Sequence, residues 1–372
     1  MGHRRRQGLQ IRLCGRAREE EGGEEEGHCC VRHPDEKAHT PYNRLVMLAV
    51  TIPEFGGVRN LRVLDVPKPT PGPGDVLVRV RAAGLNRADL MQRQGRYPPP
   101  AGADPTRLGL EFAGVIEAIG EHVGQLRVGQ RVMGLVTGGA QAEYVVAHER
   151  EVVAVPDALS DIEAGAAVEV FTTAHDALFT IGALRPGQTA LIHALGSGVS
   201  SAAVQLAAIG GARVIGTART VQKLERAKEL GVELAIDAGA GDFAEKIVSE
   251  IPAGVNVIID YVGASYLERN LRVLAPRGTI VAVGSLGGWR GEVDLGPILS
   301  KRIRIEGTTM RGRPFEERCV ALAAFGREVV PLLASGRAKV IVDRTFPLGD
   351  VGEAHAYMEA NANFGKIVLT ME

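Results

Sequence analysis

The chain has 372 residues, 45% hydrophobic and 23% charged, the balance of a folded globular protein with room for two domains. Its formal net charge of -1 argues against nucleic acid or an anionic membrane surface as a partner. No apolar run approaches the length of a membrane-crossing helix, and four cysteines form no disulfide framework, so a reducing, cytoplasmic setting is expected.

Residues 1–46 stand apart. They hold an arginine cluster at 4–6, an acidic run at 19–26 and no apolar periodicity, which predicts a disordered extension. The segment has no apolar core of a secretory signal, and its acidic run is foreign to a transit peptide. Met47 reads as a plausible natural start. His28, Cys29, Cys30 and His33 are metal-ligand types, but adjacent cysteines without a second paired knuckle do not make a zinc site, and no metal is expected.

From Met47 to about Val168 the pattern is mostly β. The run at 75–82 alternates apolar and polar residues, as a half-buried strand does. Pro67, Pro69, Pro71 and Pro73 mark the turns before it. Further strands are read at 114–120, 129–134 and 141–146, separated by glycine corners, which suggests a partly open barrel.

A different rhythm follows. Residues 189–194 are an apolar run of strand length; Gly196, Ser197 and Gly198 make a tight turn; 200–209 has the spacing of a buried helix stopped by Gly210 and Gly211; and 213–218 is a second strand. This βαβ unit would hold a pyrophosphate on the backbone of Gly196, Ser197, Gly198 and Val199 at the helix start. The turn departs from the full G-x-G-x-x-G pattern, and alone it also reads as a purely structural loop. Strand-like runs at 234–237, 255–262, 278–284 and 303–308 continue the alternation and predict a doubly wound parallel sheet. Val262, Gly263, Val283, Gly284 and Ser285, at strand ends on the ligand side, would line a nicotinamide pocket. After the second strand no acid stands ready for a ribose hydroxyl. Arg219 and Lys223 there suit a 2′-phosphate, so NADPH is the expected cofactor; the alternative is that both are solvated residues of a helix start.

Several motifs resemble the medium-chain dehydrogenase/reductase superfamily: G-L-N-R-A-D-L-M-Q-R-Q-G at 84–95, L-G-L-E-F-A-G-V at 108–115, G-Q-R-V at 129–132 and G-K-I-V at 365–368. The stretches at 86–97 and 357–368 point to its zinc-free quinone oxidoreductase branch, and the likeness covers 47–372. It implies an α/β fold: a Rossmann NADP-binding domain at 169–309, inserted in a β-rich GroES-like catalytic domain made of 47–168 and 310–372. Where zinc-dependent members carry a cysteine and a histidine, this chain has Asn86 and Leu110, with Glu111 retained, so no metal is expected.

The resemblance also suggests roles. Asn86 would contact the nicotinamide ribose or the acceptor; it also reads as the cap of a helix at 87–94. From the residues alone, Tyr97, before three prolines that fix an extended loop, would donate a hydrogen bond to a quinone oxygen, or else plug a loop. Thr173 would face the nicotinamide, or only start a helix. Asn363 and Lys366 would return to the cofactor, though Lys366 also reads as an ordinary exposed lysine. Leu195 and Ser200 stand where close relatives show glycine, and Ala238 where they often have tyrosine. The implied activity is NADPH:quinone oxidoreduction on a small electrophilic acceptor. The alternatives are reduction of an activated C=C bond and a non-catalytic NADPH-binding role. A homodimer is expected, paired through the last sheet strand near 302–309.

Overall fold

Two sheets and a small strand pair make up the computed structural model, which describes residues 45–371. The expectations for 1–44, including the disordered extension and the His28, Cys29, Cys30 and His33 group, lie outside those residues. The pair is Val46–Thr51 (β1) against Arg62–Pro67 (β2), antiparallel.

The first sheet is built on Asp75–Leu85 (β3), whose outer half alternates and whose inner end is buried on both faces. It continues through Glu111–Ile119 (β4), Arg131–Leu135 (β5), Tyr144–His148 (β6) and Val152–Ala154 (β7). The run expected at 141–146 starts late because Gln141 and Ala142 are engaged elsewhere. The Gln141 amide bonds to the Leu108 carbonyl, and Ala142 bridges to Ala49 of β1.

The second sheet takes Thr189–Ile192 (β8), Arg213–Ala218 (β9), Leu234–Asp237 (β10), Val255–Asp260 (β11), Leu274–Ala282 (β12) and Arg304–Gly307 (β13). All its pairings are parallel, in the order β10-β9-β8-β11-β12-β13. Successive residues of its strands feed opposite faces. Ile192, Val214, Val257 and Ile259 join the core that holds Ala203 and Val204 of the helix Gly198–Ile209. Leu191, Ile215, Ile258 and Ile280 join the core of Phe243, Ile247 and Leu271. Burial on both faces explains why the central strands β8, β9 and β11 read as continuous apolar runs. The order reverses at β8, so the crevice between β8 and β11 is where a ligand of such a sheet binds.

The chain then returns. Val342–Pro347 (β14) and Lys366–Thr370 (β15) extend the first sheet, β15 running antiparallel to β3. The helix Val168–His175 joins the two sheets. Its Val170, Phe171 and Ala174 share one core with Ala82 and Met133 of the first sheet and with Ile192 and Val257 of the second. Among the described residues no helix is long and apolar enough to cross a membrane.

Candidate active site

The glycine turn follows β8. Gly196 has φ +100°, in the left-handed region, and Ser197 caps the helix Gly198–Ile209 by accepting the Ser200 N–H at 3.1 Å. Ser200, at the position where a glycine was expected, braces the turn: its hydroxyl donates to the Ala194 carbonyl at 3.0 Å. Leu195 is accommodated by a second small residue, since a Cβ on Gly216 of β9 would lie 2.6 Å from the Leu195 side chain. The first-turn amides of Gly198 and Val199 are of the kind a helix leaves without carbonyl partners.

The C-terminal segment lies on this turn. The Gly365 amide donates to the Gly196 carbonyl at 2.8 Å. Asn363, predicted to reach the cofactor, is buried and donates to the Gly365 carbonyl at 2.7 Å, which shapes the bend before β15. The Lys223 ammonium donates to the Asn361 carbonyl at 2.7 Å, and Arg226 stacks over Phe364 at 4.1 Å. Arg219 is exposed at the end of β9. Lys223 is therefore not a free solvated lysine. Burial holds its pKa below the ordinary value, Asp343 opposes that, and the cations Arg87, Arg219 and Arg226 add to it.

At the ends of β11 and β12 a single carboxylate organises the expected nicotinamide wall. Asp260 accepts the amides of Val262 at 2.7 Å and Gly263 at 3.0 Å, while its carbonyl accepts those of Val283 and Gly284. Ser285 follows in the same turn. Behind them runs a buried chain that sequence reasoning missed. Asn270 donates to Asp260 at 3.1 Å, and His193 lies 2.8 Å from both Asn270 and Thr217. Desolvation lowers the His193 pKa, which favours the neutral ring. The isolated histidine in an apolar strand carried no signal of these partners.

Asn86 and Lys366 meet in the cleft between the sheets. The Lys366 ammonium lies 2.7 Å from each of the Leu85 carbonyl, Asn86 Oδ1 and Glu111 Oε1. Asn86 donates to Glu111 Oε1 at 3.0 Å, and Glu111 Oε2 accepts the Glu169 amide at 2.9 Å. Asn86 is the cap residue of the helix Arg87–Arg93, as expected, and forms a capping box with Asp89, whose side chain accepts the Asn86 amide at 2.7 Å. Burial raises the Asp89 pKa to about 6, against the pull of its amide donors. Lys366 is not an exposed lysine: it is 3% exposed, with its protons directed to protein acceptors. Its stem packs where a Cβ on Gly198 would be, 2.6 Å away, so it touches the glycine turn through carbon rather than charge.

Beside this cluster lie Tyr97, Arg311 and Glu169. The Tyr97 hydroxyl is 2.7 Å from the Thr309 hydroxyl, and desolvation raises its pKa, which keeps the phenol protonated. Arg311, 4% exposed, donates to the Thr137 carbonyl at 2.7 Å and to the Tyr97 carbonyl at 3.2 Å, and its second terminal nitrogen has no protein partner among the described residues. The hydroxyls of Thr172 and Thr173 are likewise buried without a protein partner. Glu169, one helical turn before Thr172 and Thr173, has its pKa raised to about 8 by desolvation and then by the neighbouring Glu111 carboxylate. Sequence reasoning passed over Glu169 and Arg311, because neither lies in a recognisable motif.

A cavity of about 290 Å³ opens elsewhere, lined by Met47, Pro67, Asp104, Arg107 and Tyr144. None of the predicted site residues lines it, so it is not taken as the reaction centre. Among the described residues no group of three or more His, Cys, Asp or Glu is arranged to hold a metal ion.

Comparison with known proteins agrees with this architecture. The family model for the alcohol dehydrogenase GroES-like domain matches residues 72–157, and that for zinc-binding dehydrogenase matches 198–325. The mouse (Mus musculus) synaptic vesicle membrane protein VAT-1 homolog is 33% identical over 342 residues, 85% of this chain and 81% of that protein. The quinone oxidoreductase of Pseudomonas aeruginosa is 33% identical over 319 residues, 85% of this chain and 97% of its own length. Among solved structures, the Escherichia coli quinone oxidoreductase complexed with NADPH superposes with a TM-score of 0.80 at 29% identity, covering 87% of this chain and 99% of that one. The parallel sheet with its glycine turn, the returning C-terminal strands and these likenesses along most of both chains lead to one assignment: the chain belongs to the medium-chain dehydrogenase/reductase superfamily, in its quinone oxidoreductase branch.

Proposed function

We propose that this oxidoreductase takes NADPH as its reductant, passes the electrons to quinones and needs no zinc to do so. The observation that carries the reading is the basic cluster at the end of β9. Arg219 lies there with Arg226 and Arg87, whose charges add to the burial that lowers the Lys223 pKa, and no acid stands in Thr217-Ala218-Arg219-Thr220. A 2′-phosphate dianion would relieve that repulsion, whereas a ribose hydroxyl would not.

Bound NADPH would supply the hydride. The amides of Gly198 and Val199 would hold its pyrophosphate. The buried Thr172 and Thr173 hydroxyls, lacking protein partners, fit a polar group entering from the cleft. Val262, Gly263, Val283, Gly284 and Ser285 would form the wall behind the ring. Lys366 takes a different part from the cofactor contact first expected. It sets one positive charge between Asn86 and Glu111 and leaves that corner electrically balanced. With the corner filled by an ammonium, an amide and the aliphatic Leu110, the acceptor must be electrophilic by itself, as a quinone is.

Steady-state oxidation of NADPH and NADH with a panel of quinones and enones tests this. Quinones should turn over with NADPH preferred, and dialysis against a chelator should leave the rate unchanged. Arg219→Ala should weaken NADPH about tenfold or more and leave NADH as it was. Equal use of NADH would remove the cofactor assignment. Turnover of enones alone would move the reading to C=C reduction, and NADPH binding with no turnover to a non-catalytic role.

A further inference from the structure

A small cavity lies against the cluster just described. It measures about 10 Å³, enough for one oxygen-sized group, and its walls are Leu110, Leu135, Val136 and Met310, with Glu169, Arg311 and Arg318 as its polar members. Arg318 is already paired with Glu151 at 2.7 Å. Arg311 is not saturated: it is buried, yet one terminal nitrogen finds no protein acceptor. An orphaned buried guanidinium donor is costly, so it marks where an external acceptor atom belongs. Glu169 sits on the helix Val168–His175, on the same face as Thr172 and Thr173, whose hydroxyls are also buried without a protein partner.

From this arrangement we infer that Glu169 and Arg311 form the subsite for the oxygen of the electron acceptor, Arg311 donating to it as charge develops and Glu169 delivering the proton that completes the reduction. The inference rests on the reductase reading above. The acceptor gains a hydride, two electrons with one proton, at one end of its conjugated system from a reduced nicotinamide that is oxidised in turn, and negative charge appears on the oxygen in the cavity. A bond then forms between that oxygen and the carboxyl proton of Glu169 as the carboxyl O–H bond breaks. The Glu169 carboxylate regains a proton from water, and the dihydro product leaves.

The surroundings suit an acid that must hold its proton at neutral pH. Glu111 faces Glu169 from β4, Lys366 from β15 and Asp89 from the helix Arg87–Arg93, while Arg311 approaches from beyond β13. Burial and Glu111 raise its pKa to about 8, and Lys366 and Arg311 limit the rise. A carboxylic acid kept neutral in an apolar cavity is a competent donor.

The test uses Glu169→Gln, Arg311→Met and Arg311→Lys, with folding checked by circular dichroism. The first readout is independent of turnover. 4-Nitrophenol, an inert mimic of a half-protonated hydroquinone, is titrated in the presence of NADP, and its phenolate is read by visible absorbance. Wild type should hold the phenolate, Arg311→Met should bind it about tenfold or more weakly, Arg311→Lys should fall between, and Glu169→Gln should still bind. The infrared band of a protonated carboxyl should shift on phenolate binding in wild type and be missing in Glu169→Gln. Equal phenolate affinity in wild type and Arg311→Met, or an unshifted band, overturns the inference even if the protein proves to reduce no quinone. The second readout is kcat against pH. Wild type should fall as pH rises through about 8, and Glu169→Gln should lack that limb and run about a hundredfold slower. An unchanged kcat in Glu169→Gln would equally overturn it.

Discussion

Two side chains show how burial and charge set the behaviour of this centre. Lys366 is paired with Glu111, the side chains 4% and 0% exposed. Lys366→Met would strand a carboxylate in the interior, and a loss of about 3–5 kcal/mol is expected, measured by urea unfolding. Glu169 has the opposite sign. Its folded pKa, about 8, lies above the ordinary 4.5, so the native state holds the proton more tightly than the unfolded chain. Below pH 4.5 the group has no effect on stability. As pH climbs toward about 8 the unfolded chain ionises first and stability falls, and above that the penalty is constant. Melting temperatures across that window should decline less in Glu169→Gln than in wild type. Lys366 was expected beside the cofactor and Glu169 was passed over, but nothing in the sequence pointed to the neighbours of either. Lys366 and Glu111 are 255 positions apart by number, and a lone lysine or glutamate in a sequence is nearly always read as solvated. Only the pairing of β15 with β3 makes them neighbours.

The elements were far more legible, for a physical reason. A strand buried on both faces carries an unbroken apolar run, so β9 is found at the residues expected; β10, a half-buried edge strand, also matches, and the helix Gly198–Ile209 ends at its glycine pair. β14 was missed: its sequence V-D-R-T-F-P is half exposed and ends in proline, which resembles loop more than strand. The unusual leucine and serine of the glycine turn were visible, but not their remedies. Gly216 gives Leu195 its room, so the two positions should behave as a coupled pair. Gly216→Ala should cost about 1–3 kcal/mol through overpacking, and Leu195→Ala in the same chain should recover most of it, a non-additivity that a double-mutant cycle would measure. Additive effects would mean that the leucine side chain has another place to go.

Among the described residues, β13 is the most exposed edge of the parallel sheet. β13 pairs only with β12, all four of its residues are exposed, and large apolar surface is carried by Ile305 on the strand and by Leu299 in the helix Gly296–Lys301 that precedes it. A bare strand beside apolar side chains is an adhesive edge, and a twofold pairing would cover it. The expected outcome is a dimer by light scattering at micromolar concentration, shifted to monomer by Ile305→Glu. A wild-type monomer would contradict the pairing.

Two adjoining residues near the end of the described chain serve both halves of the centre. The Gly365 amide fastens the glycine turn, and the Lys366 ammonium fills the corner beside Asn86. During synthesis every strand of the parallel sheet leaves the ribosome before this dipeptide exists. A nascent chain can therefore complete its nucleotide-type sheet while the reaction chamber is still unfinished. A translation product cut short before Asn363 would lack both fasteners, together with Phe364 and Val368 of the core that the two sheets share.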